Sequence, residues 1–190
     1  KKVLIILLPI DFLSPRDMDE FWCLLENQKD GHSVQPAISN TIAEWDLIRK
    51  ENAFHHFSSI VRNMQTMVIC AFQGTAFFSF LGVPLVCDYR IVSRGSEFTC
   101  RCLEAGLPPG GAFPWFLARY IGHGQTSKIL YEETTLTAER MHDMGLVHQV
   151  AEPDQLENIT RQKAEWFASL PPNGLISAKR MLNATHLRLE

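Results

Sequence analysis

Cys102 and Glu104 stand two residues apart in Cys100-Arg101-Cys102-Leu103-Glu104, a thiol and a carboxylate beside a fixed cation. A cysteine becomes a nucleophile or an acid when a neighbouring positive charge or a helix terminus lowers its pKa, and Arg101 is such a charge. The plain alternatives are a small buried packing residue for Cys102 and a solvated loop carboxylate for Glu104. Cys100 and Cys102 also form a Cys-x-Cys pair, but no second Cys or His pair follows at zinc spacing, which argues against a metal site. His55 and His56 are adjacent and cannot share one helix face, so they read as surface or core histidines and not as ligands. Lys179-Arg180 puts two cations on the last helix, suited either to phosphates or to a solvated face.

Other chemistry belongs to the backbone. The apolar run Met67-Val-Ile-Cys-Ala-Phe72 has the length and composition of a buried strand, and Gln73-Gly74-Thr75 breaks it. Ala76 to Val86 then reads as a short helix. A helix that starts directly after a strand aims unpaired N–H groups at whatever lies in front of it, which is a place to hold an oxyanion.

The elements around this stretch follow from pattern. Lys2 to Leu8 reads as a buried parallel-type strand, apolar on both faces. Ser14 is a candidate N-cap, Pro15 a first helical residue, and Asp17 a charge the helix dipole favours. Residues 27–36 form a polar loop. Ala37 to Met64 carries the longest helical pattern, with Ile38, Ile42, Trp45, Ile48, Phe57, Ile60, Val61 and Met64 spaced by threes and fours with one interruption. After the central helix come strands over Tyr89 to Val92 and Glu97 to Thr99. A helix opening at Gly110-Gly111 runs to about Tyr120 and is stopped by Gly122-His123-Gly124. Gln125 to Tyr131 and Thr137 to Met144 read as short helices, Val147 to Val150 as a strand, and Pro153 to Leu170 and Gly174 to Leu187 as helices. Strands interleaved with helices over the first two thirds argue an α/β fold with right-handed crossovers.

Composition narrows the classes. In 190 residues, 46% hydrophobic and 21% charged content fits an ordinary folded domain. A formal charge of -3 and no Lys/Arg run give no case for nucleic acid. The longest apolar runs fall short of the roughly 18 residues that span a bilayer, so no membrane partner is expected. Pro9 and Asp11 cut short the run after Lys1-Lys2, and no small-residue cleavage site follows, so a strand is preferred to a signal peptide. Five cysteines, an odd number in mostly apolar surroundings, indicate free thiols and a reducing, cytoplasmic setting.

The run G-x-A-x-x-S-x-x-G-x-x-L-x-C-D-x-R-I, from Gly74 to Ile91, resembles the central signature of the crotonase (enoyl-CoA hydratase/isomerase) superfamily. Phe98, the Gly106 to Gly111 turn, Phe116 to Gly122, Thr137-Ala138-Glu139 and Met144 to Val147 follow in the family's order and at its spacings. The resemblance implies a crotonase-like spiral core of ββα turns over residues 1–122 and a C-terminal helical region over 123–190 that packs in trimers. Family members usually begin with two further strands and a helix before the position matching Val3, so this chain is expected to start inside the fold. An apolar stripe of Leu170, Leu175, Ile176 and Met181 agrees with a homotrimer or hexamer.

The family stabilises a thioester enolate with two backbone N–H groups, because charge developing on the thioester oxygen must meet preorganised donors. The first donor follows the glycine of an F-S-A-G-x-D motif. Here the match is Phe12-Leu13-Ser14-Pro15-Arg16-Asp17, with Arg16 at the donor position. The second comes from a glycine triplet, matched by Phe78-Ser79-Phe80 with Ser79 in the middle. Side chains restrict the close approach that glycines allow, and Pro15 fixes φ. Leu13, Ser14, Asp17, Gly74 and Lys179 are the candidate substrate-binding residues, Lys179 towards the phosphates of a CoA. Asp88 matches a position read as structural. The two glutamates of family hydratases fall at Gly82 and Cys102, and the alternative isomerase position at Gly110, so standard two-glutamate hydration is not expected. Cys102 and Glu104 remain as the nearest acid/base candidates. Two readings stand: an enzyme on acyl-CoA or acyl-carrier thioesters with non-standard acid/base groups, and a catalytically degenerate thioester-binding or scaffold protein. Coenzyme A enters both as part of the substrate, with no separate cofactor.

Overall fold

The computed structural model describes residues 3–8, 54–99, 113–132 and 135–184. In chain order these are β1 (Val3–Leu8), a helix α1 over residues 54–63, β2 (Met67–Phe72), β3 (Thr75–Phe77), α2 (Phe78–Val86), β4 (Tyr89–Ser93) and β5 (Glu97–Thr99). There follow α3 (Phe113–Glu132), β6 (Thr135–Thr137), α4 (Ala138–Asp143), β7 (Gln149–Ala151), a 3-10 turn (Pro153–Gln155), α5 (Leu156–Ser169) and α6 (Pro172–Ala184).

One sheet has the order β1-β2-β4-β7 with every pair parallel, and a second has the order β3-β5-β6, parallel then antiparallel. β2 shows why the first sheet forms. Successive side chains of a strand point to opposite faces. Val68, Cys70 and Phe72 enter one buried cluster with Leu81, Leu85, Phe98, Phe113, Leu117 and Met141. Ile69 and Ala71 enter another with Ile91, Ala151, Leu156, Ala164 and Phe167. A strand covered on both faces must be apolar throughout, which is what MVICAF is. α5 supplies the second cover through Leu156, Ala164 and Phe167, spaced for one helical face, while Trp166 on its other side is 52% exposed.

β1 differs from its expected burial. It pairs with β2 along its whole length, yet Leu4, Ile5 and Leu7 are exposed. Among the described strands β1 has a neighbour on one side only, so apolar composition alone does not bury it. β3 and β6 carry no strand signal in the sequence pattern, being three-residue strands that complete the second sheet around β5. α3 is interrupted where the glycine pattern indicated, at Gly122 with φ 76 and ψ 163. Thr137 caps α4 by accepting from the Arg140 N–H at 3.2 Å. β6 and β7, both beyond residue 122, pair with β5 and β4 respectively.

Cys70 and Cys87 are free and buried. The bond to Cys87 and then burial push the Cys70 thiol well above its ordinary value. Cys70 is therefore a packing residue without thiolate chemistry. Cys23, Cys100 and Cys102 lie outside the described residues.

Candidate functional site

At the carboxyl end of β2 the chain must turn sharply into the second sheet. Gly74 makes that turn with φ 106, a backbone conformation that a side chain opposes. Its N–H donates to the Ser96 hydroxyl at 3.1 Å, and its carbonyl accepts from the Glu97 N–H at 3.2 Å. Ser96 is buried, and its carbonyl accepts from the Ala138 N–H at 3.0 Å. Phe72 stacks on Phe98 with centroids 4.6 Å apart, closing the floor beneath. The turn is thus held by backbone bonds from β5 and α4, and β3 leads straight into α2.

α2 starts at Phe78, so the Ser79 amide belongs to the first-turn N–H groups that have no acceptor within the helix. No acidic side chain stands in that turn to neutralise the positive end of the helix dipole. Gly74 and Ser79, two of the residues singled out from sequence, are therefore brought to one end of the sheet. In open α/β sheets, ligands bind outside the carboxyl ends of the strands, and this is that end. Leu13, Ser14, Arg16, Asp17, Cys102 and Glu104 lie outside the described residues.

Lys179 is placed at the other end, beside the starts of β2 and β4. Its Nζ donates to the Val61 and Thr66 carbonyls, each at 2.9 Å, and to Asp88 Oδ2 at 2.7 Å. Only 5% of Lys179 is exposed, so the solvated helix face does not describe it. All three ammonium protons are committed within the chain. Asp88 Oδ2 also accepts from the Val68 N–H at 2.8 Å. Burial nevertheless raises the Asp88 pKa, against the lowering effects of Lys179, the Val68 bond and Arg90.

Arg90 extends this framework. Its Nε donates to the Leu146 carbonyl, and its Nη1 donates to the Cys87 carbonyl at 2.8 Å and to the Tyr120 hydroxyl at 3.1 Å. Tyr120 in turn donates to the Leu85 carbonyl at 2.9 Å. The Arg90 N–H points at His148 Nδ1 across 3.0 Å, and the His148 ring stacks on Tyr89. Although part of His148 stays exposed, desolvation of the ring and then the Arg90 charge lower its pKa to about 4. The polar residues of the Cys87-Asp88-Tyr89-Arg90 segment are therefore scaffold: they tie α2, α3, β4 and α6 together. Nothing in the sequence pattern marks Lys179 as the partner of Asp88, 91 positions away. Among the described residues no helix is long and apolar enough to cross a membrane, and no His, Cys, Asp and Glu side chains gather as a metal site.

Comparison with known proteins bears on the family and the fold. Residues 31–189 match the family model for enoyl-CoA hydratase/isomerase. A 1,4-dihydroxy-2-naphthoyl-CoA synthase of Mycobacterium tuberculosis is 30% identical over 173 residues, covering 89% of this chain and 54% of that protein. A 1,2-epoxyphenylacetyl-CoA isomerase of Escherichia coli is 28% identical over 131 residues, covering 67% of this chain and 50% of the isomerase. The chain spans about half the length of these curated relatives. Among solved structures, an enoyl-CoA hydratase from a Polaromonas species superposes with a TM-score of 0.68 at 25% identity, over 87% of this chain and 60% of that one. A probable enoyl-CoA hydratase/isomerase from Mycobacterium abscessus gives 0.66 at 26% identity, over 83% and 59%.

Proposed function

The chain belongs to the enoyl-CoA hydratase/isomerase family, and on that premise we propose that it processes acyl-CoA thioesters through a backbone oxyanion site at the start of α2. The observation that carries the reading is the placement of the Ser79 amide. It stands in a first helical turn free of acidic side chains, next to the Gly74 turn at the carboxyl end of β2. A thioester oxygen gains negative charge as an enolate forms, and a fixed N–H donor needs no reorganisation to meet it. Arg16 supplies the second N–H in this reading, and Leu13, Ser14 and Asp17 border the acyl group, as the family motif implies. Glu104 and Cys102 are the acid/base candidates, in place of the paired glutamates that the family pattern puts at Gly82 and Cys102.

A second reading has one specific observation in its favour. Gly82 is buried within α2 and brings no carboxylate to the position where family hydratases carry their first glutamate. A protein that binds thioesters without turning them over would keep the turn and the helix terminus and lose only the acid/base pair.

Titration calorimetry with crotonyl-CoA and with free CoA, followed by a hydration assay on the same sample, separates the two. Binding with turnover supports the enzyme, and Glu104→Gln should then lower turnover at least about tenfold with CoA affinity unchanged. Binding without turnover supports the thioester-binding reading. No binding of either ligand would refute both.

A further inference from the structure

At the amino ends of β2 and β4, opposite Gly74 and Ser79, α1, α2, α3 and α6 border an open-sided cavity of about 430 Å³. That lies within the range of about 300–1,000 Å³ usual for small-molecule sites. Its walls include the apolar side chains of Met67, Leu85, Val86, Phe116 and Leu175. Asp88, Lys179 and Arg90 also reach it, but their polar atoms are used on one another and on backbone carbonyls. Arg62 and Arg119 are different.

Both guanidinium groups line the cavity, and both lie 5.4 Å from the Trp115 ring centroid. Arg119 Nη2 donates to the Leu182 carbonyl at 2.8 Å, and Arg62 Nη2 reaches the Asn183 carbonyl at 3.4 Å. Neither forms a salt bridge with a carboxylate among the described residues. Among the described residues Arg62 Nε is buried without an acceptor. Burial lowers the Arg119 pKa; the Tyr120 charge opposes that shift and the Arg62 charge adds to it.

We propose that this cavity binds an apolar carboxylate of medium chain length, its head held by Arg62 and Arg119 and its tail lying along Met67, Leu85, Val86 and Phe116. A guanidinium donates two parallel N–H bonds to a planar carboxylate, and Nη1 of both arginines makes no hydrogen bond among the described residues. Apolar walls select against a bare inorganic anion, which would leave them unfilled. The site is separate from the thioester reading and does not depend on it.

Octanoate, octanol and acetate are the probes, titrated calorimetrically into the whole 190-residue chain. Octanoate should bind at least about tenfold more tightly than octanol, which lacks the charge, and than acetate, which lacks the tail. Arg62→Gln and Arg119→Gln should each weaken octanoate by about tenfold or more. Octanol binding as well as octanoate, no octanoate binding at millimolar concentration, or unchanged affinity in both variants would overturn the proposal. Displacement of octanoate by crotonyl-CoA would place it at the opposite end of the sheet and overturn the assignment too. The ligand series on the unsubstituted chain decides the matter even if a variant fails to fold.

Discussion

Replacing Lys179 by Met removes one partner of a buried ion pair and keeps most of the volume. The two charged atoms are 2.7 Å apart, with side-chain exposures of 3% for Lys179 and 15% for Asp88. Removing one partner of such a pair costs about 3–5 kcal/mol, because the other charge is left in a poor solvent. Asp88 would still accept from the Val68 N–H. The expected loss near neutral pH therefore sits at the lower end, about 3 kcal/mol. For a chain of this size that lowers Tm by about 6–12 °C. The pH dependence has a definite sign. Asp88 already titrates above its ordinary 3.8 because burial outweighs its favourable partners. Without Lys179 it moves further up, so the folded state holds the proton more tightly than the unfolded state. Stability of Lys179→Met should then fall as pH rises through the folded Asp88 pKa, and be best preserved in acid. Urea unfolding followed by tryptophan fluorescence, from about pH 5 to about pH 7.5, reads both effects. Adding Asp88→Asn to Lys179→Met removes the stranded charge and should recover most of the loss. A single-variant loss under about 1 kcal/mol, or a double variant no more stable than the single, would refute the reasoning.

Two further outcomes follow from the geometry. Gly74→Ala puts a Cβ on a backbone at φ 106, and the strain should cost about 1–3 kcal/mol in urea unfolding while weakening crotonyl-CoA binding; wild-type values for both would show that the turn tolerates a side chain. His148 has a folded pKa of about 4 against an ordinary 6.5, so the unfolded state binds more protons between those values and His148 costs stability as pH falls through that window. His148→Gln should remove that component, and a stability difference between variant and wild type that is the same at every pH would show that His148 contributes none of it.

Much of the sheet is legible in the chain because the signals are strong and local. MVICAF has the length and composition of a buried strand, and the Gly74, Gly122 and Thr137 boundaries each rest on one residue whose backbone or side chain forces the issue. β3 and β6 escape because three residues do not establish a period of two, and Thr75–Phe77 runs into the helix without a break. At the candidate site, Gly74 and Ser79 are close in sequence and their common placement could be read. Lys179 could not. Its partner lies 91 residues away, and a lysine on a helix carries no mark that distinguishes a buried anchor from a solvated face. Arg62 and Arg119 are hidden for the same reason, since what singles them out is that no carboxylate among the described residues pairs with them in space.

The bond between Asp88 and Val68 has a consequence for how β2 finds its place. A strand that is apolar on both faces loses little hydrophobic contact when it slips by one residue, so hydropathy sets its register only weakly. Asp88 grips Val68 twice, donating its N–H to the carbonyl at 2.9 Å and accepting the Val68 N–H on its carboxylate at 2.8 Å. A slip by one position would break both bonds and pull the carboxylate away from Lys179. The polar pin at the edge of the core therefore supplies the positional information that the core itself lacks, and it ties the alignment of β2 to the arrival of α6 from the far end of the chain.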